Sequence, residues 1–66
     1  MIREGSICRW AGPPAEPGLV VEVLDLVAWR EWCVVKVLRA PQGPVVPGLI
    51  FLTHTCLWEE SGEQEK

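Results

Sequence analysis

The single histidine of the chain, His54, stands two residues before Cys56. On an extended strand, residues two apart share a face, so this spacing would set an imidazole beside a thiol. That is the start of a nucleophile–base pair, which needs a third group to orient the imidazole. The single aspartate, Asp25, is the candidate for that role, and Cys33 is the alternative nucleophile. Ser6 and Ser61 are the two serines. A set this thin predicts no catalytic residues and no enzyme.

The same side chains pose a metal question. Cys8, Cys33, His54 and Cys56 have the composition of a Cys₃His zinc site. Structural zinc sites draw their ligands in close pairs, and only His54 and Cys56 are close. Cys8 and Cys33 fall inside apparent strands, where a free cysteine behaves as a small buried hydrophobe. Core thiols are therefore expected, with no metal and no cofactor. The three cysteines are odd in number and widely spaced. That argues against a secreted disulfide scaffold. The opening MIREGSICRW has no apolar signal core, and no run approaches the ~20 apolar residues of a membrane helix. A reducing cytoplasm is the expected compartment.

Charge narrows the class of partner. The net charge is −3, and Glu59, Glu60, Glu63 and Glu65 supply four of the nine acids. Arg3, Arg9, Arg30, Lys36, Arg39 and Lys66 are scattered singly. A phosphate-binding surface would cluster them, because counterion release supplies much of the affinity. The pattern argues against nucleic acid. It favours a protein partner or self-association, since apolar residues make up 48% of the chain and four of its five aromatics are Trp.

The elements that position these residues are strands. Val20, Val21, Val23, Val27, Val34, Val35 and Val37 are β-branched, and the six prolines punctuate the gaps. The spacing predicts strands over Ser6–Trp10, Gly18–Leu26, Trp32–Arg39, Leu49–Thr53 and Leu57–Glu59. Ala11–Pro17 and Ala40–Pro47 are loops, and Val27–Glu31 is a connection. Pro17-Gly18-Leu19 and Pro47-Gly48-Leu49 both carry the type II turn signature, with Gly where φ must be positive. One domain over residues 1–59 is expected, followed by a disordered acidic tail over 60–66.

Pairing the second and third strands about Trp29 sets Glu22 opposite Lys36, a favourable cross-strand pair. On that face Val20 meets Leu38, Leu24 meets Val34 and Leu26 meets Trp32. On the other, Val21 meets Val37, Val23 meets Val35 and Asp25 meets Cys33. Both faces are apolar, whereas a half-solvated sheet alternates. Either the strands bend in a small barrel, or Val20, Leu24, Trp32, Val34 and Leu38 form a partner surface. Homo-oligomerisation is the simplest cover for such a patch. Trp29 and Trp32 flank Arg30-Glu31 in the connection. They either grip a partner, as aromatic grooves grip Pro-rich segments, or fold back on the hairpin.

Gly5-Ser6-Ile7-Cys8-Arg9-Trp10 resembles the opening strand G-D-x-V-x-W of small SH3-like barrels. Gly18-Leu19-Val20-Val21-Glu22-Val23 resembles their G-x-V-x-x-V strand, Cys33-Val34-Val35-Lys36-Val37-Leu38 the next, and Leu57-Trp58 the closing one. The resemblance spans about residues 2–59 and is similar in layout to short SH3-like proteins of tailed-phage and prophage genomes, more loosely to KOW modules. It implies an all-β, five-stranded SH3-like barrel. Ser6 stands where the pattern has Asp, and Cys8 where it has Val. SH3-like barrels serve as peptide readers, nucleic-acid modules and pieces of assemblies, so the fold alone names no function. The expected function is a non-enzymatic interaction or structural module acting through Val20, Leu24, Trp29, Trp32, Val34 and Leu38. The alternative is a KOW-like nucleic-acid accessory, which needs Arg9, Arg30, Lys36 and Arg39 to converge on one face.

Overall fold

The computed structural model describes residues 1–13, 18–41 and 45–61. Over these residues the chain is all-β. Five strands are present: β1 (Ile7–Trp10), β2 (Val20–Val27), β3 (Trp32–Arg39), β4 (Ile50–His54) and β5 (Trp58–Glu60). They form one antiparallel sheet in the order β4-β3-β2-β1-β5. A 3₁₀ turn at Thr55–Leu57 carries the chain from β4 to β5, at the two ends of the sheet order. Among the described residues no helix is long and apolar enough to cross a membrane.

Alternation explains the core. Val21 and Val23 of β2 point inward with Val35 and Val37 of β3, and Cys8 and Cys33 join them. All six are essentially without solvent exposure. Each valine buried in this way contributes about 1.5–3 kcal/mol. Leu19 and Trp58 complete the cluster, with Trp10, Leu26, Phe51 and Leu57 packed partly buried around it. The Trp58 ring meets Trp10 edge-on at 5.2 Å and Phe51 at 6.4 Å. Its indole N–H donates to Thr53 Oγ1 at 3.2 Å. One side chain on β5 thus touches residues of β1 and β4, and the two edges of the sheet lean together across it.

The hairpin register agrees with expectation at its centre and departs from it at both ends. Val21 pairs with Val37, Glu22 with Lys36 and Val23 with Val35. The ladder then slips between Val23 and Asp25, so Leu24 is an extra residue. Beyond it Asp25 lies opposite Val34, Leu26 opposite Cys33 and Val27 opposite Trp32. The expected pairs Leu24–Val34, Asp25–Cys33 and Leu26–Trp32 do not form. A second slip between Val20 and Val21 sets Val20 opposite Arg39 instead of Leu38. Bulges of this kind strengthen the local twist and bend the strand, which is how a short sheet curls around a small core.

Strand ends also differ by a residue or two. β2 starts at Val20 and continues to Val27, β1 starts at Ile7, and β4 and β5 each sit one residue later than expected. Glu60, assigned to the tail by the sequence, is the last residue of β5. Ser61 follows it, donating its N–H to Ile7 O at 3.0 Å. The rest of the tail, residues 62–66, lies outside the described residues, as does Pro17 of the first expected turn.

The second turn has the expected geometry. Leu49 N–H donates to Val46 O at 3.2 Å across Pro47-Gly48, and Gly48 has φ +93°. No atom lies within 4 Å of the position a Gly48 Cβ would take. A Gly48→Ala change therefore meets backbone strain alone, about 1–2 kcal/mol. Urea denaturation of this variant is expected to show a lowered midpoint with an unchanged slope.

Candidate interaction surface

The outer face of the sheet opposes the valine core. The residues expected to line it do not all do so. Val20 is buried, in a cross-strand row between Arg9 and Arg39. It offers a partner little surface, which removes it from the expected set. Leu24 and Leu38 coincide with the two bulges, Leu24 open and Leu38 half-buried. Val34 and Trp32 are half-buried on the outer face, opposite Leu52 and His54 of β4. The Trp32 ring is covered in part by the His54 imidazole, with centroids 4.1 Å apart.

Trp29 is set apart from all of these. It stands at the tip of the β2–β3 hairpin, 98% exposed. Ala28, Trp29 and Arg30 have φ of 52°, 54° and 71°, the left-handed region that side chains other than glycine avoid. Arg30 N–H donates to Val27 O and Glu31 N–H to Ala28 O, both at 3.1 Å, which locks the turn. Trp29 therefore does not fold back over the hairpin, while Trp32 rests against His54 of β4. Leu24 and Val27, both 38% exposed, lie on the strand leading to it.

A second exposed apolar group was not anticipated. Val46, Leu49, Ile50 and Leu52 are all open to solvent on β4 and its lead-in turn. Ile50 and Leu52, two apart on β4, share one face. What the sequence does not mark is that β4 is an outer strand, with no strand paired beyond it among the described residues.

The potential catalytic residues come together only in part. Cys56 Sγ lies 3.8 Å from His54 Nδ1, on the exposed side of the 3₁₀ turn. The candidate orienting group, Asp25, is not beside them. Asp25 is two strands away on β2, and its carboxylate accepts the Leu26 N–H at 2.9 Å. Cys33 is inside the core, on the opposite face from His54. The four residues of the potential zinc set are thereby divided between interior and surface. Among the described residues no three His, Cys, Asp or Glu side chains gather where they could hold a metal ion.

Burial divides the thiols chemically. It pushes Cys8 up to about 11 from an ordinary 9.0, with Glu60 and Cys33 adding smaller upward effects. Cys33 is also raised by burial, against a smaller lowering effect of the Thr55 hydroxyl. The reactive species is the thiolate. A disulfide reagent at neutral pH is expected to modify one thiol per native chain quickly, Cys56, and the other two only on unfolding. Cys56→Ser should abolish the fast phase. Cys8 also predicts alkaline sensitivity. The unfolded chain ionises near pH 9 while the folded one keeps this proton, so stability falls as pH rises from about 9 towards about 11.

Of the basic residues Arg9, Arg30, Lys36 and Arg39, Arg9 and Arg39 flank Val20 in one cross-strand row. Arg9 Nε pairs with Glu59 at 2.6 Å, Lys36 faces Glu22 across the β2–β3 ladder, and Arg30 sits at the tip with Nη1 2.7 Å from Met1 Sδ. No protein-family model, no curated protein and no solved structure matches this chain.

Proposed function

We propose that the chain is a small SH3-like barrel working as a non-enzymatic protein-interaction module, whose grip is the tip of the β2–β3 hairpin. The observation that carries this reading is Trp29, an almost fully exposed tryptophan in the middle of three successive left-handed residues. Strain of this kind costs about 1–3 kcal/mol per residue and clusters at binding and catalytic sites. An indole in water gains nothing for the free chain, while tryptophan is among the residues that dominate binding energy at protein interfaces. Leu24 and Val27 extend the exposed apolar area along β2 beside it, Trp32 and Val34 are half-buried on β3, and Leu38 lies at the far end of the hairpin.

The barrel reading is supported by the strand order, in which β5 returns to pair with β1, and by the contacts of Trp58 on edge strand β5 with Trp10 of β1 and Phe51 of edge strand β4. The three free thiols suit a reducing cytoplasm. A phage or prophage origin rests on the resemblance of the strand motifs alone. The test compares capture of a partner by the wild-type chain and by Trp29→Ala, with folding of the variant confirmed.

A further inference from the structure

We propose that β4 is the contact strand of a two-fold dimer of this chain, pairing antiparallel with β4 of a second copy about Phe51. The proposal deepens the reading of the chain as an interaction module, and rests on it, but it assigns self-association to a surface separate from Trp29.

β4 and β5 are the outer strands of the sheet. An outer strand presents unpaired N–H and C=O groups, and natural sheets blunt such edges with shortness and charge. β5 is blunted in both ways: it has three residues, and Glu59 and Glu60 are exposed on it. β4 is blunted in neither. It has five residues, and no charged residue occurs from Pro47 through Thr53.

The direction of its backbone groups follows from the two ends of the β3–β4 ladder. At one end Val37 N–H donates to Leu49 O at 2.8 Å, and at the other Thr55 N–H donates to Glu31 O at 2.9 Å. Antiparallel pairs alternate between bonded and non-bonded residues. Phe51 and Thr53 are in phase with these bonds and turn their N–H and C=O towards β3. The N–H and C=O of Ile50 and Leu52 then face the open edge. The side chains of the same two residues stand on the outer face, 55% and 56% exposed.

A second β4 satisfies both features at once. A two-fold axis at Phe51 sets Ile50 of each copy opposite Leu52 of the other, in bonded pairs that close four hydrogen bonds. The two isoleucines and two leucines become one uncharged cluster in a continuous sheet. Behind it the rows run on to Lys36, opposite Ile50, and Val34, opposite Leu52, so no charge is pressed against its like. A β5 edge in the same place would bring Glu59 and Glu60 against this cluster, which disfavours head-to-tail growth and leaves a closed pair. A stable two-fold interface withdraws roughly 600–1,000 Å² from each partner. That is about an eighth to a fifth of the 4553 Å² that the chain exposes. Val46 and Leu49, exposed in the lead-in turn, adjoin the Ile50–Leu52 cluster, and so small a contact belongs at the weak, reversible end of the range.

The experiment is light scattering behind size exclusion over roughly a hundredfold range of concentration, joined to amide hydrogen exchange by NMR. The expected mass is twice 7.4 kDa at the high end, falling on dilution. Leu52→Lys, at a side chain open to solvent, should weaken association about tenfold or more. Ile50→Lys repeats the test if the first variant disturbs the fold. Ile50 and Leu52 amides should be protected in the dimer and lose protection in Leu52→Lys, while Phe51 and Thr53 amides stay protected in both. Trp29→Ala should remain dimeric, so loss of partner capture and loss of the dimer are read separately. A monomer at every concentration, a dimer that both lysine variants leave intact, or freely exchanging Ile50 and Leu52 amides would overturn the proposal.

Discussion

Replacing Trp58 with alanine is expected to remove about a third or more of the stability of the fold, and all of it where that stability lies at the low end for a chain of this size. Removing a buried tryptophan side chain typically costs about 3–5 kcal/mol. A chain of 66 residues has, at roughly 0.05–0.15 kcal/mol per residue, only about 3–10 kcal/mol in total. Trp58 is 5% exposed, stacks edge-on against Trp10 of β1 and reaches Phe51 of β4. Its loss therefore opens a cavity and releases the sheet edges from each other. Trp58→Phe separates the contributions. It keeps an aromatic ring between Trp10 and Phe51 but removes the N–H that Thr53 Oγ1 accepts. Thr53 is itself buried, so its hydroxyl loses a partner where water cannot replace it, at a cost of about 1–3 kcal/mol. Far-ultraviolet circular dichroism with urea denaturation measures both. The ordering wild type, Trp58→Phe, Trp58→Ala is the expected one. An alanine variant within about 1 kcal/mol of wild type would show that the edges are held by something other than this ring.

The core was legible because two signals agree there. Alternation sends Val21, Val23, Val35 and Val37 to one side, and the Glu22–Lys36 pair on the other side fixes the register between them. The ends of the hairpin were not legible for a local reason. Leu24 and Leu38 are ordinary strand residues, and nothing in their chemistry marks a bulge. Yet the added Leu24 moves Leu26 inward and turns Asp25 and Val27 outward, and the added Leu38 sets Val20 opposite Arg39. The Thr55–Leu57 turn was missed for a similar reason, since Thr-Cys-Leu carries no helix-start or helix-stop signal. The apolar edge of β4 was hidden for a topological reason. Ile50 and Leu52 share a face by their spacing, but only the strand order shows that no strand pairs beyond them among the described residues. The His54–Cys56 proximity was readable from spacing, although a 3₁₀ turn rather than a continuous strand brings the two together. The position of Trp29 was undecidable from spacing, because a tryptophan in a turn either covers the hairpin or projects, and backbone dihedrals choose between them.

Those dihedrals give the second large effect, and it has two signs. Trp29→Gly is expected to make the free chain more stable while removing most of its affinity for a protein partner. The left-handed conformation costs a side-chain-bearing residue about 1–2 kcal/mol, and glycine adopts it freely. Glycine gives back about 0.5–1 kcal/mol through the entropy of the unfolded chain. Because Trp29 is 98% exposed, its removal forfeits almost no buried area. The balance is a gain of several tenths to about 1 kcal/mol, seen as a raised urea midpoint. Binding moves the other way. A tryptophan anchor typically carries at least about 2 kcal/mol, so affinity should fall roughly thirtyfold or more. Trp29→Ala isolates the loss of the ring, since alanine keeps most of the strain: it should bind as poorly as glycine without the rise in stability. Ala28→Gly makes the complementary test, relieving strain beside an intact indole, and should gain stability while keeping the partner. A tip that served folding alone would respond in the opposite manner, with Trp29→Gly losing stability and partner capture unaffected, and that result would remove the basis for assigning the grip to this residue.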